Sequence, residues 1–135
     1  MYGETNLQKL LKTMSPILSN EEYVFITVSG NYGDYSQFNP IGSFQEKEGL
    51  TLIITKTVAD KNNLQYEQVF KLITLEVHSS LNAVGLTAAV ASTLAKKNIS
   101  ANVVAAFYHD HIFVPLKQAE EALKALTNIN QNKND

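Results

Sequence analysis

Leu7, Leu10, Leu11 and Met14 fall at i, i+3, i+4 and i+7, one face of a helix, and Thr5 with Gln8 forms a capping box ahead of them. Ser15-Pro16 ends that helix, because the residue before a proline is pushed out of the helical region. The run 23–28, rich in β-branched and aromatic residues, predicts a strand buried on both faces. Residues 29–42 lose the pattern, and Gly30, Gly33, Pro40 and Gly42 predict a loop there. Its rings, Tyr32, Tyr35 and Phe38, are costly to leave in water, so the loop reads as a lid. Residues 42–45 predict a short strand, Glu46-Lys47-Glu48-Gly49 a hairpin turn, and 50–55 a second strand. A short helix follows over 56–63, with Thr57 as its cap and Asn62-Asn63 as its stop. Alternation returns at 69–77, setting Phe70, Leu72, Thr74 and Glu76 against Val69, Lys71, Ile73, Leu75 and Val77.

Residues 83–97 carry the strongest helical pattern, with Val84, Thr87, Ala88, Ala91, Leu94 and Ala95 on one side. Ser80 or Asn82 is available as its N-cap, and Lys96-Lys97 suits the negative end of the dipole. An inward face made mostly of alanine predicts a helix lying close to its sheet, and Asn98 supports the turn at its end. Residues 101–108 and 112–114 predict a tight antiparallel hairpin with His109-Asp110-His111 as its turn. Pro115 opens the last helix, whose stripe is Leu116, Ala119, Ala122, Leu123 and Leu126. The order is α-β-β-β-α, then β-α-β-β-α, so the halves rhyme, the first lacking a helix between its first two strands. The predicted class is α+β, because β-α-β-β-α is most of a split βαβ unit with helices on one side of an antiparallel sheet. The halves are assigned to 1–65 and 66–128, followed by a polar tail, 129–135, that should fray.

Composition narrows the class of function. The chain has 135 residues, 44% apolar and 18% charged, enough to fill one domain or two small ones sharing a core and too little charge for a disordered chain. Eleven basic against thirteen acidic residues leave a net charge of -2, so neither nucleic acid nor an anionic membrane is an expected partner. The absence of cysteine removes disulfides, thiolate nucleophiles and sulfur-rich zinc sites. The acidic, polar start lacks the signature of a signal peptide, and no apolar run reaches the roughly 18 residues of a membrane span. A cytoplasmic protein is the expectation.

Few residues suggest chemistry. His78-Ser79-Ser80 sits where a strand meets a helix, so backbone N–H groups and two hydroxyls can converge on an anion there. Capping by Ser80 or Asn82 satisfies the same N–H groups without a ligand, and the residues alone favour capping. Gly85, in the first turn of that helix, costs about 1 kcal/mol relative to alanine and so suggests close approach of a ligand or of another backbone. His109 and His111 are two apart, but two imidazoles do not complete a zinc site, and no metal or other cofactor is expected. A hydrolase could be assembled from Ser79, His78 or His109, and Asp110, yet the nucleophile elbow it needs is missing. No phosphate-binding glycine loop, dinucleotide fingerprint or EF-hand pattern is present either, and no catalytic residue is assigned.

The segment 48–115 resembles the small bacterial proteins with tandem ACT-like repeats. The resemblance rests on Glu48-Gly49-Leu50-Thr51-Leu52-Ile53, Ile73-Thr74-Leu75-Glu76-Val77-His78-Ser79-Ser80-Leu81, Ala83-Val84-Gly85-Leu86-Thr87-Ala88-Ala89-Val90, and the run 99–115. Weaker matches reach back to Leu10-Leu11. It implies ferredoxin-like halves of βαββαβ type and a free-standing regulatory protein, not an enzyme, that binds an amino acid or similar molecule where modules meet, and that forms a homo-oligomer. Implied contacts are His78, Ser79, Ser80, Leu81, Asn82 and Gly85 in the strand-to-helix loop, with Asn102 on the strand forming the other wall. This loop lacks the acidic residue and proline with which such loops usually begin. The alternative is an interaction or oligomerisation module that binds no metabolite.

Overall fold

The structure, a computed structural model, describes residues 11–76 and 85–129. It divides into two compact units, one formed by Asn20–Phe70 and the other by the chain up to Ser19 together with the chain from Lys71 onward. Each unit is α+β, as the sequence predicts.

In the unit Asn20–Phe70 the strand order is β2-β3-β1, with β1 running Ser15–Val28, β2 Gly42–Gln45 and β3 Leu50–Thr55. Antiparallel register pairs Val24 with Ile54, Ile26 with Leu52 and Val28 with Leu50. Because side chains alternate across a strand, these pairs share one face, and they build the core with Ala59. The opposite face is also apolar: Tyr23 and Ile53 are buried there, and the Phe25 and Phe70 rings meet edge to face at 5.1 Å. The strand predicted at 23–28 is therefore buried on one face and partly covered on the other, where Thr27 remains exposed. The turn at Glu46 and Gly49 closes with backbone hydrogen bonds in both directions, 2.9 and 3.3 Å.

Two features of this unit correct the sequence reading. Residues 29–42 are not a plain loop: Tyr32–Phe38 forms a 3-10 helix, with Asn31 and Asp34 in a capping box. Its rings Tyr35 and Phe38 lie against the core, and the Tyr35 hydroxyl donates to the Ser29 carbonyl, so the segment covers part of the unit's own interior. This element occupies the place of the helix that the first half seemed to lack. The following helix, α1 (Lys56–Lys61), is capped by Thr55, not Thr57: the Thr55 hydroxyl accepts the Val58 N–H at 3.2 Å.

The other unit has the strand order β1-β4-β6-β5, its share of β1 being the residues up to Ser19. Here β4 is Phe70–Glu76, β5 Asn102–Ala105 and β6 Asp110–Pro115. Helices α2 (Leu86–Lys96) and α3 (Ala119–Asn128, after a 3-10 turn at Leu116–Gln118) cover one face. Met14, Ile73, Leu75, Ile112 and Val114 from the sheet side meet Leu86, Val90, Leu94, Ala122 and Leu126 from the helices. The inward stripe of α2 is thus Leu86, Val90 and Leu94 at i, i+4, i+8; of the expected stripe Leu94 is buried and Ala91 partly so, whereas Thr87, Ala88 and Ala95 are exposed, so the mostly alanine face is corrected, and Val84 lies outside the described residues. β1 also begins at Ser15, eight residues before the predicted start, because backbone pairing continues through the polar stretch 19–22. Residues 7–10 of the predicted first helix lie outside the described residues, as does the tail after Ile129.

Candidate functional site

Of the seven residues implied as ligand contacts, His78, Ser79, Ser80, Leu81 and Asn82 lie outside the described residues, while Gly85 and Asn102 lie within them. Gly85 is not in the first helical turn. It is the N-cap of α2, at φ 96°, a left-handed conformation that L side chains rarely adopt. As glycine it brings no side chain to the first N–H groups, so the backbone can be approached closely at the positive end of an 11-residue helix.

Asp110 also stands at this end of α2. The Thr87 hydroxyl donates to its Oδ2 at 3.4 Å, joining the first turn of the helix to the start of β6. Asp110 is the register partner of Ala105, the last residue of β5. Asn102 is exposed and pairs with Phe113, which puts it about 10 Å along the strand from the level of Asp110. Gly85, Thr87 and Asp110 therefore group at one level of the unit, whereas Asn102, partner of Phe113, falls at another level and on the sheet face turned away from the helices, so it does not form the other wall of this site.

The hairpin turn is Ala106–His109, not 109–111, with the Ala106 N–H donating to the His109 carbonyl at 3.0 Å. Asp110 and His111 belong to β6, and adjacent strand residues point to opposite faces, so Asp110 faces the helices and His111 the other way. On that other face the His111 Nδ1 and the Thr74 hydroxyl of β4 are 3.0 Å apart. The His109 Nδ1 is buried and has no hydrogen-bond partner among the described residues. Burial pushes the His111 imidazole below its ordinary range, the nearby His109 adds to the effect, and Asp110 pulls weakly the other way. Because Asp110 faces away from His111, it does not orient that ring as a catalytic acid–base pair would require. Among the described residues no three His, Asp or Glu side chains group as metal ligands.

In the other unit, Asp60, Asn63, Leu64, Gln65 and Tyr66 line an open depression of about 340 Å³. Its carboxylate is already engaged: Lys56 donates to Asp60 Oδ2 at 2.8 Å and the Tyr66 hydroxyl to Oδ1 at 2.7 Å. These bonds hold the Asp60 carboxyl below its usual range. A depression whose acceptors are internally satisfied offers little to a ligand. Residue spacing had given no sign of this triad beyond the i, i+4 pairing of Lys56 and Asp60.

With two β-helix-β-β-helix units of this kind, the class is that of a ferredoxin-like regulatory module. The ACT domain family model matches residues 2–71, and a second ACT domain model matches 69–128. The chain belongs to the ACT domain family. A solved protein of unknown function from Vibrio cholerae, described as a possible transport protein, is 50% identical, with a TM-score of 0.88, covering 96% of this chain and 99% of its own. A protein from Agrobacterium tumefaciens is 16% identical, with a TM-score of 0.69 over 87% of this chain and 89% of its own. The ligand-free regulatory subunit of aspartate kinase from Thermus thermophilus shares the fold at 10% identity, with a TM-score of 0.67 over 88% and 97% of the two chains. No protein with a curated description matches. Among the described residues no helix is long and apolar enough to cross a membrane.

Proposed function

We propose that this protein is a non-catalytic regulatory protein of the cytoplasm that senses a small molecule of the amino-acid class. Its two ACT-like halves are read as 1–65 and 66–128, and neither nucleic acid nor membrane is among its partners. The observation that carries the reading is the start of α2, where the N-cap Gly85 contributes no side chain of its own and Asp110 is joined to the first turn through Thr87. A positive helix end beside a carboxylate suits a zwitterion, whose carboxylate meets N–H groups and whose ammonium meets Asp110. His78, Ser79, Ser80, Leu81 and Asn82 are the proposed remaining contacts, with Asn102 more distant. A relative of the same fold is named as the regulatory subunit of an aspartate kinase, which supports this class of role.

Binding to the folded state raises stability by mass action, about 2.7 kcal/mol when ligand stands at 100 times its Kd. Thermal melting against each of the twenty amino acids at millimolar concentration is expected to show a rise for one or a few of them, reduced in Ser79→Ala/Ser80→Ala. Unchanged melting throughout would overturn the reading. A second reading, an oligomerisation module without a metabolite, is favoured by the β5–β6 hairpin tip, where Phe107 and Tyr108 are 72% and 76% exposed and stack edge to face. Sedimentation of the chain with and without the amino-acid mixture separates the two, since only a sensor changes its assembly with ligand.

A further inference from the structure

The face of β4, β5 and β6 turned away from the helices carries a feature that ligand sensing does not use. His111 is half-buried there, and among the described residues its neighbours Thr74, Val104 and Phe113 are uncharged. β5 presents Val104, the register partner of His111; β4 presents Thr74; β6 itself presents Phe113, and His109 lies two residues back in the hairpin turn. The carboxylates nearby are Asp110, which faces the helix layer and accepts from Thr87, and Glu76, an exposed residue two beyond Thr74 on the same face of β4. Position gives His111 leverage. Among the described residues of this unit the hairpin of β5 and β6 joins the rest of the sheet through the pairing of β6 with β4, and the side-chain contact between Thr74 and His111 lies across that joint.

We infer that His111, with His109 beside it, is an acid-sensitive latch: neutral, it packs half-buried across the joint between β6 and β4, and when protonated it favours release of the β5–β6 hairpin. The physical cause is desolvation. A cation at His111 would sit half out of water beside a second imidazole, whereas in the opened state both rings regain water. The sign follows from linkage. The folded-state value lies below the ordinary 6.5, so the opened chain takes up the proton more readily. The latch is therefore whole above about pH 6.5 and is lost progressively as pH falls through that value.

Melting of the full-length protein between about pH 7.5 and about pH 5 reads the latch directly, with His111→Gln as the variant that keeps a polar side chain but cannot titrate. The wild-type melting temperature is expected to fall further over this range than that of His111→Gln. Amides of 102–115 should lose hydrogen-exchange protection ahead of those in α3. Equal falls in the two proteins would overturn the inference. Should His111→Gln fail to fold, titration of the wild-type imidazoles by NMR decides, the three being assigned with His78→Gln and His109→Gln. A His111 midpoint below the ordinary value supports the latch, and one at or above it removes it.

Discussion

Gly85 shows how far a single residue could be understood before its backbone was known. The sequence marked it as a costly glycine near a helix start, but a left-handed φ leaves no trace in the residue pattern, so it was placed inside the helix instead of at its N-cap. The conformation sets a cost. Gly85→Ala forces a Cβ into the left-handed region and is expected to destabilise the protein by about 1–2 kcal/mol in denaturant titration. A change below a few tenths would show that the glycine is dispensable. His109, Asp110 and His111 were likewise singled out as chemically interesting, yet assigned to a turn. Strand alternation is what separates their roles, and it depends on a boundary that two residues of polar sequence do not reveal.

Among elements, strands with dense apolar sequence were legible and those held by backbone pairing were not. β3 and β4 could be read almost to the residue, because Leu52, Ile54, Ile73 and Leu75 fill the interior. The first eight residues of β1 are half-polar yet belong to the strand, and backbone pairing leaves no hydrophobic signature in the sequence. The helix α2 was found but its face was not: alanine is acceptable on either side of a helix, so a stripe through Ala88 and Ala95 and one through Leu86, Val90 and Leu94 both fit the period. Packing chose the larger side chains. Leu94→Ala is expected to cost about 2–5 kcal/mol in equilibrium unfolding, and Ala88→Ser well under 1 kcal/mol. The reverse order would show that the alanine face is the buried one. The 3-10 helix at Tyr32–Phe38 escaped because its period is not 3.6, although its capping pair, Asn31 and Asp34, was there to be noticed.

For the whole molecule, the element order already displayed two rhyming halves, and the family matches meet at residues 69–71. What the order could not display is where the contacts go. Met14, at 2% exposure, is buried with Leu75 and Leu126, and the chain up to Ser19 belongs to the unit completed by residues from Lys71 onward. One unit is thus inserted in the sequence of the other. Cleaved after Phe70, the fragment 71–135 should give no cooperative melting by circular dichroism until 1–70 is added back, because it lacks Met14 and the β1 residues beside β4. A sharp transition from the fragment alone would contradict this. Interleaving also limits how such proteins can be recombined. A crossover at the repeat boundary cuts through a packed interior, so exchanging one module for a cousin's should succeed only when the stretch ending at Ser19 is inherited from the same parent as the stretch beginning at Lys71.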